Sequence, residues 1–211
     1  HGLGPVAQYM DILRGDTFQH LVSMSTKSRG MGLLAQELGA TDFAGKKFKH
    51  GDMNNSLIRT ADDKTILVQH DVISPRPYSR KNVLSGTKAY HEGYPSQLSV
   101  LGRDSHSFLK EGEYEEMRAQ YRHWLWQKME EDLKKNPNFH GGMDYLMTYR
   151  LIDCLNHGWP LDQDVYDGAT WSIVTPLSEA SVDLGNVPVQ FPDFTRGKWK
   201  EKRALPIQEF I

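Results

Sequence analysis

Two small groups of side chains in this chain could do chemistry. The first is the stretch Ser74-Pro-Arg-Pro-Tyr-Ser-Arg80. Its two prolines fix the backbone on either side of Arg76 and give up two ladder donors, so a rigid corner should follow the strand before it. That corner presents the phenol of Tyr78 between the guanidinium groups of Arg76 and Arg80. Such a group could grip a sugar or polarise one of its hydroxyls; a structural corner with solvated arginines is the plainer reading of the same residues. The second is His1, just ahead of a helical pattern. The positive end of a helix disfavours imidazolium, and a neutral imidazole there could take a proton from a substrate hydroxyl. A frayed terminus is the alternative.

Other motifs carry less. Gly30-Met-Gly-Leu-Leu-Ala35 mimics a dinucleotide-binding fingerprint, but no second parallel strand follows where a βαβ unit needs one. His140-Gly-Gly-Met-Asp144 joins two helical segments. Its glycines allow close approach of a ligand, with His140 and Asp144 facing a cleft, or Asp144 simply caps the next helix. The acids of Leu161-Asp-Gln-Asp-Val-Tyr-Asp167 suit a first helical turn, and none singles out the opposed pair an ordinary glycosidase needs. His50, Asp52, His70 and Asp71 match no metal-ligand spacing. His70 shares a strand face with Ile66, Val68 and Val72, so it is expected as a satisfied core histidine, and no metal is expected.

These residues must be positioned by a chain of 211 residues, 38% hydrophobic and 25% charged, enough for one substantial core. A net charge of −2 gives no nucleic-acid footprint, and no apolar run reaches membrane-spanning length. The single cysteine, Cys154, excludes an internal disulfide. With no initiator methionine and no leader, the chain reads as a piece of a longer one.

The patterning predicts strands first and helices after. A helix should run from Pro5 to Arg14, and a strand over 17–26 should place Phe18, His20, Val22 and Met24 on one face. A hairpin over 53–72 turns at Asp62-Asp63, and short strands follow near 82–85, 88–91 and 97–101. Spacings of three and four predict one amphipathic helix over 113–135, ended by Pro137. Residues 143–156 are apolar almost all round and read as a buried helix. Asp162 should cap a last helix, bent at Pro176. Residues 186–211 read as an extended tail. The sum is an α+β fold, a largely antiparallel open sheet with helices on one face, in a single domain over residues 1–211.

His1-Gly-Leu-Gly-Pro-Val-Ala-Gln-Tyr-Met10, Gln69-His-Asp-Val72, the Ser74–Arg80 corner, Ser85-Gly-Thr-Lys88, His140-Gly-Gly-Met-Asp144, Arg150-Leu-Ile-Asp-Cys154 and Pro160–Asp167 occur in this order along the chain. With them the sequence resembles glycoside hydrolase family 109, NAD-dependent glycosidases of α-N-acetylgalactosaminidase activity within the glucose–fructose oxidoreductase, inositol dehydrogenase and MocA superfamily. The resemblance covers nearly the whole chain. It implies a substrate-side domain whose Rossmann partner domain, the main holder of NAD, lies N-terminal to this chain. His1 matches the last residue of the family's Tyr-Pro-Thr-His segment at the sugar, which implies a catalytic and substrate-binding role. Tyr78 matches a sugar-contacting tyrosine, and Arg76 and His140 join it as candidate sugar-binding residues.

The resemblance further implies hydrolysis by oxidation at C3, elimination, water addition and re-reduction, with NAD recycled and no opposed carboxylates needed. The implied partners are an N-acetylgalactosamine-type glycan, the chain's own Rossmann domain and a second copy of the protein. An exported bacterial protein, periplasmic or secreted, is implied as well. Two other readings stand beside it: an NAD(P)-dependent sugar dehydrogenase of the same superfamily, and a non-catalytic oligomerisation domain.

Overall fold

A computed structural model describes residues 1–103, 106–135 and 140–209. In chain order it contains α1 (Leu3–Tyr9), β1 (Phe18–Ser25), α2 (Gly30–Glu37), β2 (Met53–Thr60), β3 (Thr65–Asp71), β4 (Asn82–Ser85), β5 (Ala89–Gly93), β6 (Gln97–Val100), α3 (Glu111–Gln120), α4 (Trp124–Lys128), α5 (Glu130–Lys135), α6 (Met143–His157), α7 (Val165–Ser172), α8 (Val174–Asp183), β7 (Val189–Gln190) and α9 (Pro206–Glu209). Single 3₁₀ turns lie at His140–Gly142 and Lys198–Lys200. The α+β class with antiparallel open sheets is as the patterning predicts. The chain groups into two compact units, His1–Tyr78 with Gln163–Leu205, and Ser79–Asp162 with Pro206–Ile211.

The first unit is built on an antiparallel sheet of order β3-β2-β1-β7. The supposed tail supplies β7, which pairs with β1 through His20↔Gln190 and Leu21↔Val189. Its core joins Ala7 of α1 to Phe18, Leu21, Ile58 and Ile66 of the sheet, with Trp171 of α7 and Val174 and Leu177 of α8 packed against it. Helices therefore cover one face of the sheet. The strand faces differ from the simple alternation expected. Phe18 pairs with Thr60 but His20 pairs with Arg59, so Gln19 is an extra residue in β1. A bulge of this kind shifts the alternation by one. Beyond it Leu21 and Ser23 are buried while Met24 is exposed. The outward face carries a cross-strand row of Val22, Leu57 and Leu67, and Leu57 and Leu67 are exposed.

Helix α1 is shorter than the Pro5–Arg14 pattern suggested. It stops because Asp11 and Leu13 take left-handed backbone, with φ of 59° and 65°. The loop that follows is held instead by Arg14, which is buried and makes two bonds to Asp167 of α7, Nη1 to Oδ1 at 2.9 Å and Nη2 to Oδ2 at 2.8 Å. Asp164, not Asp162, caps α7: its carboxylate accepts from the N–H groups of Tyr166 and Asp167, and Asp167 accepts in return from the N–H of Asp164. The helix beyond breaks at Ile173. Pro176 lies in the first turn of α8, where a proline is tolerated because its missing N–H has no intrahelical partner to lose.

The second unit carries an antiparallel sheet of order β4-β5-β6 and a cluster of Leu125, Met129 and Leu146 with Trp124, Trp126 and Leu133 packed against it. The long helix expected over 113–135 is three short ones. His123 interrupts it by accepting from the N–H of Leu125 at 3.2 Å, an N-cap for α4. Pro137 lies outside the described residues. Helix α6 ends as expected, at Gly158 with φ of 67°. It is not buried all round: Leu146, Arg150 and Cys154 face inward, while Met143, Met147, Leu151 and Leu155, four residues apart, are exposed. Asp162 pairs with Arg150, Nε to Oδ2 at 2.9 Å.

Candidate functional site

His1 is exposed ahead of the first turn of α1. That turn is fixed by close packing: a Cβ at Gly4 would sit 3.2 Å from the ring of Trp171 in α7. The far end of α1 is pinned by Lys64, which donates to the carbonyl of Met10 at 3.1 Å. The seven residues of α1 span about 10 Å, and His1 stands beyond its other end.

Tyr78 ends the corner that leaves β3, and its ring is 81% exposed. The corner is built around Asp71, which the sequence reading considered only as a metal ligand. Its carboxylate accepts from the N–H groups of Ser74 at 3.0 Å and Ile73 at 3.2 Å, and Arg76 Nη1 stands 3.4 Å from it. The Ser74 hydrogen bonds, with help from Ile73 and Arg76 and against the cost of burial, hold the Asp71 carboxyl below its ordinary range. Arg76 Nη1 also donates to Gln69 at 3.1 Å, and Gln69 donates to Asn55 at 2.8 Å. Arg76 thus braces the corner back onto β3 and β2 rather than standing as a solvated arginine. An Asp three residues before a Ser at a strand end is the signal that could have found this turn.

The glycine-rich start of α2 holds an anion, and the anion is the protein's own. Both oxygens of Asp52 lie within 3.1 Å of the N–H groups of Arg29 and Gly30. Those donors are the ones a phosphate would need. Nearby, His50 and His70 meet edge to face, with centroids 5.6 Å apart. His70 is exposed, so the core position expected for it is wrong: it follows Ile66 and Val68 on the strand, but at the open end of β3, beyond the helices that cover them. Among the described residues no three His, Cys, Asp or Glu side chains gather into a metal-binding group.

In the second unit His140 Nδ1 lies 2.9 Å from Asp144 Oδ2, on an exposed surface. Asp144 is not the N-cap of α6; Gly142 is, at φ 89°. A Cβ at Gly142 would run into the side chain of Leu133, so this glycine serves a close approach of α6 to α5. His140 and Asp144 form their own pair there.

A cavity of about 340 Å³ lies at the C-terminal side of α1, lined by Asp11, Arg14, Asp16, Asp62 and Lys64 among others. Neither His1 nor Tyr78 lines it. Four of these charges are tied within the fold, Lys64 with Asp16 and Asp62 and Arg14 with Asp167, so it reads as part of the scaffold.

Comparison with known proteins gives this arrangement a context. A family model described as glycosyl hydrolase 109, C-terminal domain, matches residues 1–201. The chain is 45% identical over 210 residues to a glycosyl hydrolase family 109 protein of Shewanella pealeana, covering 98% of this chain and 46% of that protein. It is 47% identical over 204 residues to glycosyl hydrolase family 109 protein 2 of Phocaeicola vulgatus, covering 96% and 49%. It is 44% identical over 213 residues to a protein of Shewanella oneidensis named alpha-N-acetylgalactosaminidase, covering 98% and 46%. The chain spans about half the length of the curated relatives it matches.

Proposed function

We propose, since the chain belongs to the glycosyl hydrolase 109 C-terminal domain family, that it is the sugar-side domain of a bacterial glycosidase acting on α-N-acetylgalactosaminides. The family match over residues 1–201 carries this reading, and the substrate is taken from the name of the Shewanella oneidensis relative. In it, Tyr78 offers an exposed phenol to a sugar hydroxyl from a corner that Asp71 and Arg76 keep rigid. His1, exposed ahead of α1, takes a proton from a sugar hydroxyl. Arg76 and His140 complete the set, Arg76 from its bond to Gln69 and His140 from its pair with Asp144.

NAD, when bound, supplies acceptance and return of a hydride. The described residues do not fit it: the glycine-rich start of α2 is filled by Asp52, and the order β3-β2-β1-β7 contains no parallel βαβ unit. The reading therefore assigns the cofactor to a Rossmann domain outside this chain. It also assigns the outward row of Val22, Leu57 and Leu67 to contact with a second copy, and export to the periplasm or medium.

The test is hydrolysis of 4-nitrophenyl α-N-acetylgalactosaminide by a longer protein that carries this chain. Tyr78→Phe removes one hydrogen bond to an uncharged group and should cost about 0.5–1.5 kcal/mol, a loss of up to roughly tenfold. His1→Ala should cost about 10²–10⁴-fold, the usual worth of a general base. Absence of hydrolysis, or full activity in both variants, would overturn the reading.

A further inference from the structure

A second cluster of reactive side chains lies in the unit formed by Ser79–Asp162 and Pro206–Ile211, among residues that the proposed function does not use. Ser96 is the last residue of the turn between β5 and β6, and its Oγ is met by two side chains from two elements. His91 Nε2 of β5 lies 2.8 Å away. The hydroxyl of Tyr114 in α3 donates to the same oxygen at 2.8 Å. Ser96 is exposed, and His91 and Tyr114 are half-buried. The direction of the tyrosine bond matters. A serine hydroxyl has one proton to give, and with Tyr114 donating to Oγ that proton goes to His91 Nε2 in the tautomer that carries its hydrogen on Nδ1. Glu92 does not interfere, because its neighbouring position on β5 points to the other face of the sheet, where it holds Tyr90 at 2.8 Å and Lys81 at 3.0 Å.

The geometry points to Ser96 as a surface nucleophile, with His91 as its base and Tyr114 fixing the oxygen, able to react with carboxylic esters. Hydroxyl and imidazole within hydrogen-bond reach is the pairing that activates a serine, and here the third group, Tyr114, holds the hydroxyl oxygen rather than the base. As the Oγ–carbon bond forms, the Ser96 proton passes to His91 Nε2. The ester carbon–oxygen bond breaks and the leaving alcohol takes that proton. Water, deprotonated by His91, then releases the carboxylic acid and restores Ser96.

The plainer role of the same three residues is to tie α3 to the hairpin, and the experiment separates the two. The full chain is treated with an alkyl fluorophosphonate, whose phosphorus bonds to an activated serine oxygen as fluoride leaves, and the modified peptide is mapped by mass spectrometry. Label on Ser96, absent from Ser96→Ala, is the expected result. His91→Ala should slow labelling by about 10²-fold or more, and added imidazole should restore part of it, which a tie between elements would not show. His91→Gln, which keeps a hydrogen-bonding side chain without a base, should show the same loss if His91→Ala misfolds. Absence of label on Ser96, or labelling of the His91 variants at the unmodified chain's rate, would overturn the proposal.

Discussion

Asp167→Ala tests the account of how the first unit is held together. Asp167 is the buried partner of Arg14, and the two side chains are 1% and 2% exposed. Its removal takes two charge-assisted hydrogen bonds from Arg14, of 2.9 and 2.8 Å, and leaves the guanidinium with one bond, to the carbonyl of Ile12. It also takes from Asp164 the return bond of the capping box. Breaking one side of a buried pair costs about 3–5 kcal/mol, because an uncompensated charge stays in the interior. At about 1.4 kcal/mol per factor of ten, that is roughly 10²–10⁴-fold in the opening equilibrium. Hydrogen exchange of the β1 and β2 amides reads it, since these lie in the core of this unit alone. Arg59→Ala, which breaks the exposed pair with Asp63 from the strand side, should cost about 0.5 kcal/mol or less in the same assay. The double variant Arg14→Met with Asp167→Leu should recover most of the loss. A fall in protection of less than tenfold for Asp167→Ala would refute the view that this pair fastens the loop after α1 onto α7.

Gly142→Ala should destabilise the second unit by about 1–3 kcal/mol, seen as a lower melting temperature, because the new Cβ meets Leu133 and the backbone stands at φ 89°. The Asp71 carboxyl ionises more readily folded than unfolded, so it contributes stability above the carboxylate range that is lost as pH falls below about 4. Asp71→Asn should flatten that acid limb in urea titrations at successive pH values; an unchanged limb would refute the assignment. Calorimetry with NAD should show no binding tighter than millimolar for this chain, because Asp52 occupies the donors of Arg29 and Gly30; micromolar binding would restore the glycine-rich segment as a phosphate cradle.

How far the sequence was legible depended on how local each determinant is. The hairpin over β2 and β3, the short strands of the second sheet and the Gly158 stop of α6 are set by alternation and turn residues within a few positions, and all appear as predicted. The inward face of β1 was misread because one extra residue, Gln19, reverses every position after it, and nothing in the spacing of Phe18, His20, Val22 and Met24 announces a bulge. The break of the long helix at His123 turned on a side chain that caps here without being a usual N-cap residue, so nothing marked it inside a strong apolar period. Helix α6 looked buried because its composition is apolar, and composition does not say whether a neighbour covers each face.

The site was less legible than the fold, for a reason the Asp52 contact makes concrete. A glycine-rich segment before a short helix offers free N–H groups, and sequence alone tells only that something negative should meet them. Whether that is a phosphate or a carboxylate depends on a residue 22 positions away, brought back by the loop that leads into β2. The same holds for Arg76: two prolines predict a rigid corner, but its bonds to Gln69 and Asp71 exist only once β3 is formed. Exposed polar motifs therefore name candidates, and the fold shows how each is held. Within the first unit Asp52 and Arg76 are bound into the scaffold, and the sugar-binding reading stands or falls on the exposed Tyr78 and His1.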